Sequence, residues 1–132
     1  MKIEDHYKRL KESLAVIEES IEKGLVERQR TIGFSASAAS TDMLEIMLHK
    51  NSLIDPGFIL KHEWFKAKGI LNEKLGFDFP KKQQILELMS KIEEKRNVLC
   101  YGKPKTEGIV REVIENLNRL KAIFREEGIN EI

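Results

Sequence analysis

Residues 34–48 have the sequence FSASAASTDMLEIML, and this segment organises the rest of the chain. Its side chains are small or apolar in most directions, and no glycine or proline interrupts it between Ser35 and Lys50. A helix that is apolar around most of its circumference usually lies at the centre of a fold. The small side chains also allow neighbouring backbones to approach closely. We therefore predict that residues 25–50 form the central helix.

The segments on either side carry an apolar residue every three or four positions, which is typical of amphipathic helices. Further helices are predicted over 3–23, over 56–75 with Asp55 as N-cap and Pro56 at the first helical position, over 81–101, and from a Thr106 cap to Arg125. Because the connections are short, neighbouring helices should be antiparallel. The predicted fold is an all-α, antiparallel (up-and-down) bundle of four to five helices over residues 1–126, followed by a frayed tail over 127–132.

Composition excludes several classes of protein. The 23 basic and 22 acidic residues give a net charge of +1. Overall charge therefore does not indicate binding to nucleic acid or to an anionic membrane. Cys100 is the only cysteine, so an internal disulfide is impossible. No segment reaches the roughly 18 apolar residues that a membrane span needs, and residues 1–6 lack a signal core. We expect a cytoplasmic protein without membrane contact, cofactor or structural metal.

Arg96 breaks the apolar pattern of its helix. It lies four positions after Ile92 and three before Leu99, so it projects from the face that should pack into the core. A guanidinium group there needs a carboxylate, a subunit interface or a bound anion. The plainer interpretation is an arginine at the end of the bundle, whose stem packs while its head reaches solvent.

The surroundings of Arg96 favour the anion. Between residues 91 and 105 five basic residues outnumber two acidic ones, a local excess of three, and the basic ones are Lys91, Lys95, Arg96, Lys103 and Lys105. Asn97 and Tyr101 add hydrogen-bonding groups. Such a cluster suits a phosphate, because arginine offers a planar fork and lysine a point charge. Complementing the negative end of the helix dipole explains Lys103 and Lys105, but not Arg96.

The stretch Arg96-Asn97-Val98-Leu99-Cys100-Tyr101-Gly102, late in the penultimate long helix, resembles the HEPN superfamily. The small-residue helix over 35–48 and a final amphipathic helix after residue 106 extend the resemblance over nearly the whole chain. It implies a helical bundle that forms a two-fold homodimer, with the two arginine motifs facing a shared cleft. It also implies one of the activities found in the family. These are metal-independent RNA cleavage, the action of a toxin paired with a nucleotidyltransferase, and nucleotide binding without catalysis.

The catalytic pattern of the family is an arginine, often followed by a polar residue, and a histidine four to six residues later. Arg96 and Asn97 fit, whereas Tyr101 stands in the histidine's place. A tyrosine titrates near pH 10, so it suits hydrogen bonding or stacking better than proton transfer at neutral pH. Arg96 and Tyr101 are the catalytic candidates; the ligand-binding candidates are Arg96, Asn97, Tyr101, Lys103 and Lys95.

Asp42, Glu45 and His49 are spaced three and then four apart, so they align on one strip of the central helix. The strip is half of a metal site, but the sequence shows no matching set of ligands elsewhere, and an ordinary polar strip is the preferred interpretation. A further hypothesis is that Asp42 or Glu45 supports the site by pairing with Arg96 across the bundle.

Three functions remain open from the sequence. The first is a dimeric HEPN-like module that binds a nucleotide or an RNA phosphate through Arg96, Asn97 and Tyr101, alongside a nucleotidyltransferase. The second is an active metal-independent ribonuclease of toxin type, which needs some residue to replace the missing histidine. The third is a non-catalytic dimerisation or scaffold protein, in which Arg96 only holds two subunits together.

Overall fold

The computed structural model describes residues 1–130 and 132, and every regular element in this part of the chain is a helix. The elements in chain order are α1 (Ile3–Lys23), α2 (Gln29–Lys50), a 3₁₀ helix (His62–Lys66), α3 (Lys68–Lys74), α4 (Lys82–Tyr101) and α5 (Glu107–Glu126). The prediction of an all-α helical bundle is confirmed.

Helix α2 is the centre of the bundle, as its composition predicts. It packs against α1, α4 and α5, and most of its residues are buried. Small side chains make the close packing against α4 possible. A Cβ atom added at Gly33 would lie only 3.1 Å from Leu99 Cβ, so the two helices nearly touch at this point.

Helices α1, α4 and α5 follow their predicted bounds closely. Each buries one apolar stripe, and the fully buried side chains include Leu10, Ile85 and Phe124, one from each helix. Thr106 is the N-cap residue of α5, but its side chain makes no capping hydrogen bond. The prediction of its position is confirmed, whereas the predicted cap contact is missing.

The long third helix predicted over 56–75 was wrong. Pro56 starts no helix, because Asp55 Oδ1 instead accepts a hydrogen bond from Gly57 N at 2.8 Å in a local turn. The chain then runs without regular structure to Lys61, and only the short 3₁₀ helix and α3 follow. Leu60 N donates to the side chain of Glu45 instead of to a backbone carbonyl one turn earlier, so a contact across the fold replaces helical bonding.

The segment after α5 is held in place where frayed ends were predicted. Ile129 is fully buried, and its N–H donates to Phe124 O at 2.9 Å. Lys50 Nζ donates to Gly128 O at 2.9 Å and ties this segment to α2. The prediction of a frayed tail is therefore wrong at these residues, and Glu131 lies outside the described residues. No helix in the described part of the chain has the length and hydropathy needed to cross a bilayer.

Candidate functional site

Arg96 lies on the side of α4 that faces α2, and only 9% of its surface is exposed. It lines an open pocket of about 550 Å³ between α2, α4 and the segment around the 3₁₀ helix. The pocket is lined by Arg9, Phe34, Ser37, Ala38, Thr41, Leu60, Lys61, His62, Glu63 and Arg96. The spacing of Arg96 in the sequence predicts a cation on the core-facing side of α4. In the structure this cation lines a cavity.

Within the described part of the chain, the guanidinium group of Arg96 makes no ion pair. No described carboxylate lies within 4.0 Å of it, and none of its nitrogens makes a hydrogen bond to a described residue. Its Cζ atom instead lies 5.4 Å from the ring centroid of Phe34, a cation–π arrangement. The hypothesis that Asp42 or Glu45 pairs with Arg96 was wrong, because both carboxylates contact His6.

Positive charge predominates along the wall of this pocket. The wall contains three basic side chains, those of Arg9, Lys61 and Arg96. It contains one carboxylate, that of Glu63, which is itself paired with His62. A cavity lined mainly by one sign of charge attracts counterions of the other sign. The pocket is therefore suited to an anion.

A histidine that the sequence analysis did not select lies in the same pocket. His62 Nδ1 donates to Oε1 of the buried Glu93 at 2.8 Å, and Ser37 Oγ donates to the other oxygen of Glu93 at 3.3 Å. His62 Nε2 lies 2.7 Å from Oε1 of the exposed Glu63. Glu93 therefore contacts one ring nitrogen of His62, and Glu63 contacts the other. The sequence signal was weak, because His62 lies far from Arg96 along the chain and within a segment predicted as helix.

Tyr101 lies in a neighbouring pocket, not beside Arg96. This second pocket measures about 590 Å³, and Arg28, Arg30 and Tyr101 are among the residues that line it. Phe34 lines both pockets and is 57% exposed, while Tyr101 is 74% exposed. Two exposed aromatic rings and several cations thus occupy adjacent surfaces, and Phe34 forms the boundary between the two pockets.

The other predicted binding residues lie outside these two pockets. Asn97 and Lys95 are partly buried on α4, and Lys103 is exposed in the following loop. Gln29 holds that loop against α2: its Nε2 donates to Leu99 O at 3.2 Å, and its Oε1 accepts from Lys105 N at 2.8 Å. The predicted set is therefore divided, with Arg96 in one pocket and Tyr101 in the next.

Cys100 is not arranged as a nucleophile. Its thiol is buried and donates to Arg30 O at 3.6 Å. Burial raises the pKa of the Cys100 thiol, and the nearby Arg96 and Arg30 charges only partly oppose this. The thiolate is the reactive form of cysteine, so this side chain acts as a small apolar residue.

A second polar cluster lies inside the bundle between α1 and α2. His6 Nδ1 donates to Asp42 Oδ1 at 2.8 Å, and His6 Nε2 lies 2.9 Å from Glu45 Oε2. Burial lowers the pKa of His6, but the contacts with Asp42 and Glu45 outweigh burial and raise the pKa to about 9. The two carboxylates were identified from their spacing in the sequence, whereas His6 was not. His6 lies three positions after Ile3 and four before Leu10, which places it on the apolar stripe of α1.

Comparison with protein-family models, with curated proteins and with solved structures finds no match to this chain.

Proposed function

We propose that the chain is a HEPN-like module that binds the phosphate of a nucleotide or of RNA through Arg96. One observation carries the proposal: Arg96 is only 9% exposed, has no carboxylate within 4.0 Å among the described residues, and lines an open pocket. A buried charge without a partner costs several kcal/mol. A phosphate would supply the missing charge, and its oxygens match the planar fork of arginine.

The aromatic surface beside Arg96 supports a nucleotide over a simple anion. Phe34 presents an exposed ring between the two pockets, and Tyr101 presents a second ring in the next pocket. Stacking on such rings contributes about 1–3 kcal/mol per base and tolerates any base. With a phosphate at Arg96, a neighbouring base would reach Phe34, and a further nucleotide would reach Tyr101 beside Arg28 and Arg30.

The remaining predicted residues take a secondary part in this proposal. Lys95, Asn97 and Lys103 lie outside the two pockets, so they would act through local charge or at an assembly surface. The resemblance implies a two-fold homodimer with the two arginine motifs in a shared cleft, and a nucleotidyltransferase as partner. We include both in the proposal, with the open side of the Arg96 pocket as the surface that a second subunit would cover.

The binding experiment compares two arginines of equal charge. Fluorescence anisotropy with a labelled single-stranded RNA would be measured for the wild type, Arg96→Ala and Arg111→Ala. Arg111 is an exposed arginine on α5 that pairs with Glu107 one turn away, so its removal changes net charge equally. Loss of a charge-assisted hydrogen bond of about 1.5–3 kcal/mol predicts an affinity about 10- to 150-fold lower for Arg96→Ala only. Phe34→Leu, which keeps apolar bulk without a ring, should weaken RNA more than inorganic phosphate.

The stability of the same variants separates ligand binding from a structural role. Because Arg96 is buried and has no carboxylate within 4.0 Å in the part of the chain that the structure describes, replacing it by methionine should raise the free energy of unfolding while RNA binding is lost. Equal affinities for Arg96→Ala and Arg111→Ala would contradict the proposal. A change of molecular mass in light scattering for Arg96→Met, with no RNA binding by either form, would instead support the scaffold function.

A second candidate function, metal-independent RNA cleavage, is favoured by the position of His62. The activity needs a proton acceptor in place of the motif histidine, and His62 lies in the Arg96 pocket with its ring fixed by Glu93. In such a step Glu63 would first leave His62 Nε2, which lies 2.7 Å from Glu63 Oε1. The 2′-hydroxyl oxygen then bonds to phosphorus, and its proton passes to that nitrogen. The bond from phosphorus to the 5′-oxygen breaks, that oxygen takes a proton from water, and a 2′,3′-cyclic phosphate remains. Arg96 would stabilise the added negative charge.

Cleavage and binding separate in one set of variants. With end-labelled RNA, His62→Gln should abolish cleavage while affinity changes less than about threefold, and Arg96→Ala should reduce both. The double variant, purified in the same way, reports contaminating nuclease. Binding by the wild type without cleavage above that background would leave phosphate binding as the function and exclude the ribonuclease.

A further inference from the structure

The cluster of His6, Asp42 and Glu45 joins α1 to α2 inside the bundle. His6 and Asp42 are only 2% and 3% exposed, and Glu45 is also buried. One nitrogen or oxygen from each side chain lies within 4.8 Å of one from each of the others. His6 therefore supplies, from another helix, the ligand that the Asp42–Glu45 strip lacked in the sequence.

Two polar atoms of this cluster have no hydrogen-bond partner in the described part of the chain. Asp42 Oδ2 is fully enclosed, and the Nε atom of Arg9, a largely exposed side chain, lies 3.9 Å away. His6 Nε2 lies 2.9 Å from Glu45 Oε2, but without the alignment of a hydrogen bond. Buried polar atoms normally have partners, so two atoms without one in a cluster of metal-ligating side chains need an explanation.

The charges and spacing of the cluster fit a bound cation. Two buried carboxylates face one imidazole, so even a protonated His6 leaves one negative charge over within the trio. Metal–ligand bonds of about 2.0–2.2 Å place adjacent ligand atoms about 3 Å apart, close to the 2.9 Å between His6 Nε2 and Glu45 Oε2. Asp42 contacts the other ring nitrogen, Nδ1, so its carboxylate would have to move from Nδ1 towards the Nε2 side to reach the same ion.

We propose that His6, Asp42 and Glu45 form a binding site for a divalent transition-metal ion, which clamps α1 to α2. An imidazole combined with carboxylates suits zinc and related ions, whereas magnesium prefers oxygen ligands alone and keeps most of its water. The site is enclosed, so the ion has a structural role. Glu45 Oε1 accepts Leu60 N, so the same ion also steadies Leu60, a residue of the Arg96 pocket wall. The inference is independent of the proposed phosphate binding.

The test is calorimetric titration of metal-free protein with zinc chloride. The chain is first treated with EDTA and dialysed, and Cys100→Ser removes the only thiol. We expect one zinc ion per chain and a rise in melting temperature. His6→Gln and Glu45→Gln should lower the zinc affinity at least 100-fold and abolish the rise. His62→Gln is the matched control, because it removes another histidine that contacts carboxylates and should leave zinc binding unchanged.

X-ray absorption at the zinc edge identifies the ligands without any variant at the cluster. One imidazole with oxygen ligands is expected in the Cys100→Ser protein. Scattering from two or more imidazoles would overturn the proposal, since only His6 belongs to the site. Absence of zinc binding, or zinc binding lost in His62→Gln but kept in His6→Gln, would overturn it as well. Magnesium chloride should give no comparable heat, and an equal affinity for magnesium would contradict the assigned ion class.

Discussion

Raising the pH from 6.5 to 9.5 should weaken the metal-free fold through His6. The ring faces Asp42 and Glu45 from α2, lies 5.8 Å from the His49 ring, and has Arg9 nearby on its own helix. The two carboxylates hold the proton of His6 in the folded state and raise the pKa of His6 to about 9, whereas an unfolded histidine titrates near 6.5. Folding is therefore coupled to the charge on this ring.

The sign and size of the stability change follow from the folded and unfolded pKa values of His6. A raised pKa gives stabilisation that is complete below pH 6.5 and is lost as the pH rises through 9. A difference of about 2.5 units at about 1.36 kcal/mol per unit gives about 3 kcal/mol, nearly all of it lost by pH 9.5. His49 acts in the opposite direction on the acid side, because burial and the His6 charge lower the pKa of His49. From these two groups, stability should thus be greatest at or slightly below pH 6.5.

Urea unfolding followed by circular dichroism, with EDTA present, measures this dependence. The Cys100→Ser background removes the ionisation of the thiol, since burial raises the pKa of Cys100 and would add its own loss above pH 9. The fall of about 3 kcal/mol should disappear in His6→Gln and persist in His62→Gln. A difference between the wild type and His6→Gln that changes by less than about 1 kcal/mol over this range would refute the assignment.

Three substitutions test the backbone packing by the same unfolding measurement. Gly33→Val should destabilise the fold by about 1–3 kcal/mol, because the new side chain meets Leu99 across the α2–α4 contact; unchanged stability would mean that the helices separate easily. Gly69→Ala should stabilise by about 0.5 kcal/mol, since a Cβ there meets no atom within 4 Å, and a loss would show a hidden clash. Lys81→Gly should stabilise by about 1 kcal/mol, because the backbone of Lys81 has φ +59°; destabilisation would contradict this left-handed conformation.

The helices that pack along their whole length were predictable from sequence. The three-to-four spacing of apolar residues places α1, α4 and α5 correctly, and the small residues of 34–48 place α2 at the centre. The same spacing failed over 56–75, because the backbone of Leu60 bonds to Glu45 and leaves the helical pattern. A side chain that is distant in sequence decided the conformation there, and periodicity carries no information about such a partner.

The candidate sites were predictable only in part, for a related reason. A polar residue on an apolar stripe is visible in the sequence, and this signal identified Arg96. The same signal is present at His6, which lies three positions after Ile3 and four before Leu10, but it was not selected there. The partner of each buried polar residue was not visible. One hypothesis paired Asp42 or Glu45 with Arg96 across the bundle, but the packing of α1 against α2 places His6 in contact with both carboxylates. His62 lines the Arg96 pocket because the segment predicted as a helix over 56–75 does not follow its periodic pattern at Leu60.

This separation of charges is the strongest argument that Arg96 serves a ligand. Helix α2 carries two buried carboxylates, and α4 carries a buried guanidinium on the side that faces α2. A bundle maintained for stability alone would gain most by pairing these groups or by replacing them with apolar side chains. The carboxylates are instead committed to His6, while the cation stacks on an exposed phenylalanine at the wall of an open pocket. Because no described carboxylate neutralises Arg96, an anion that enters the open pocket from outside would gain the whole charge interaction with its guanidinium group.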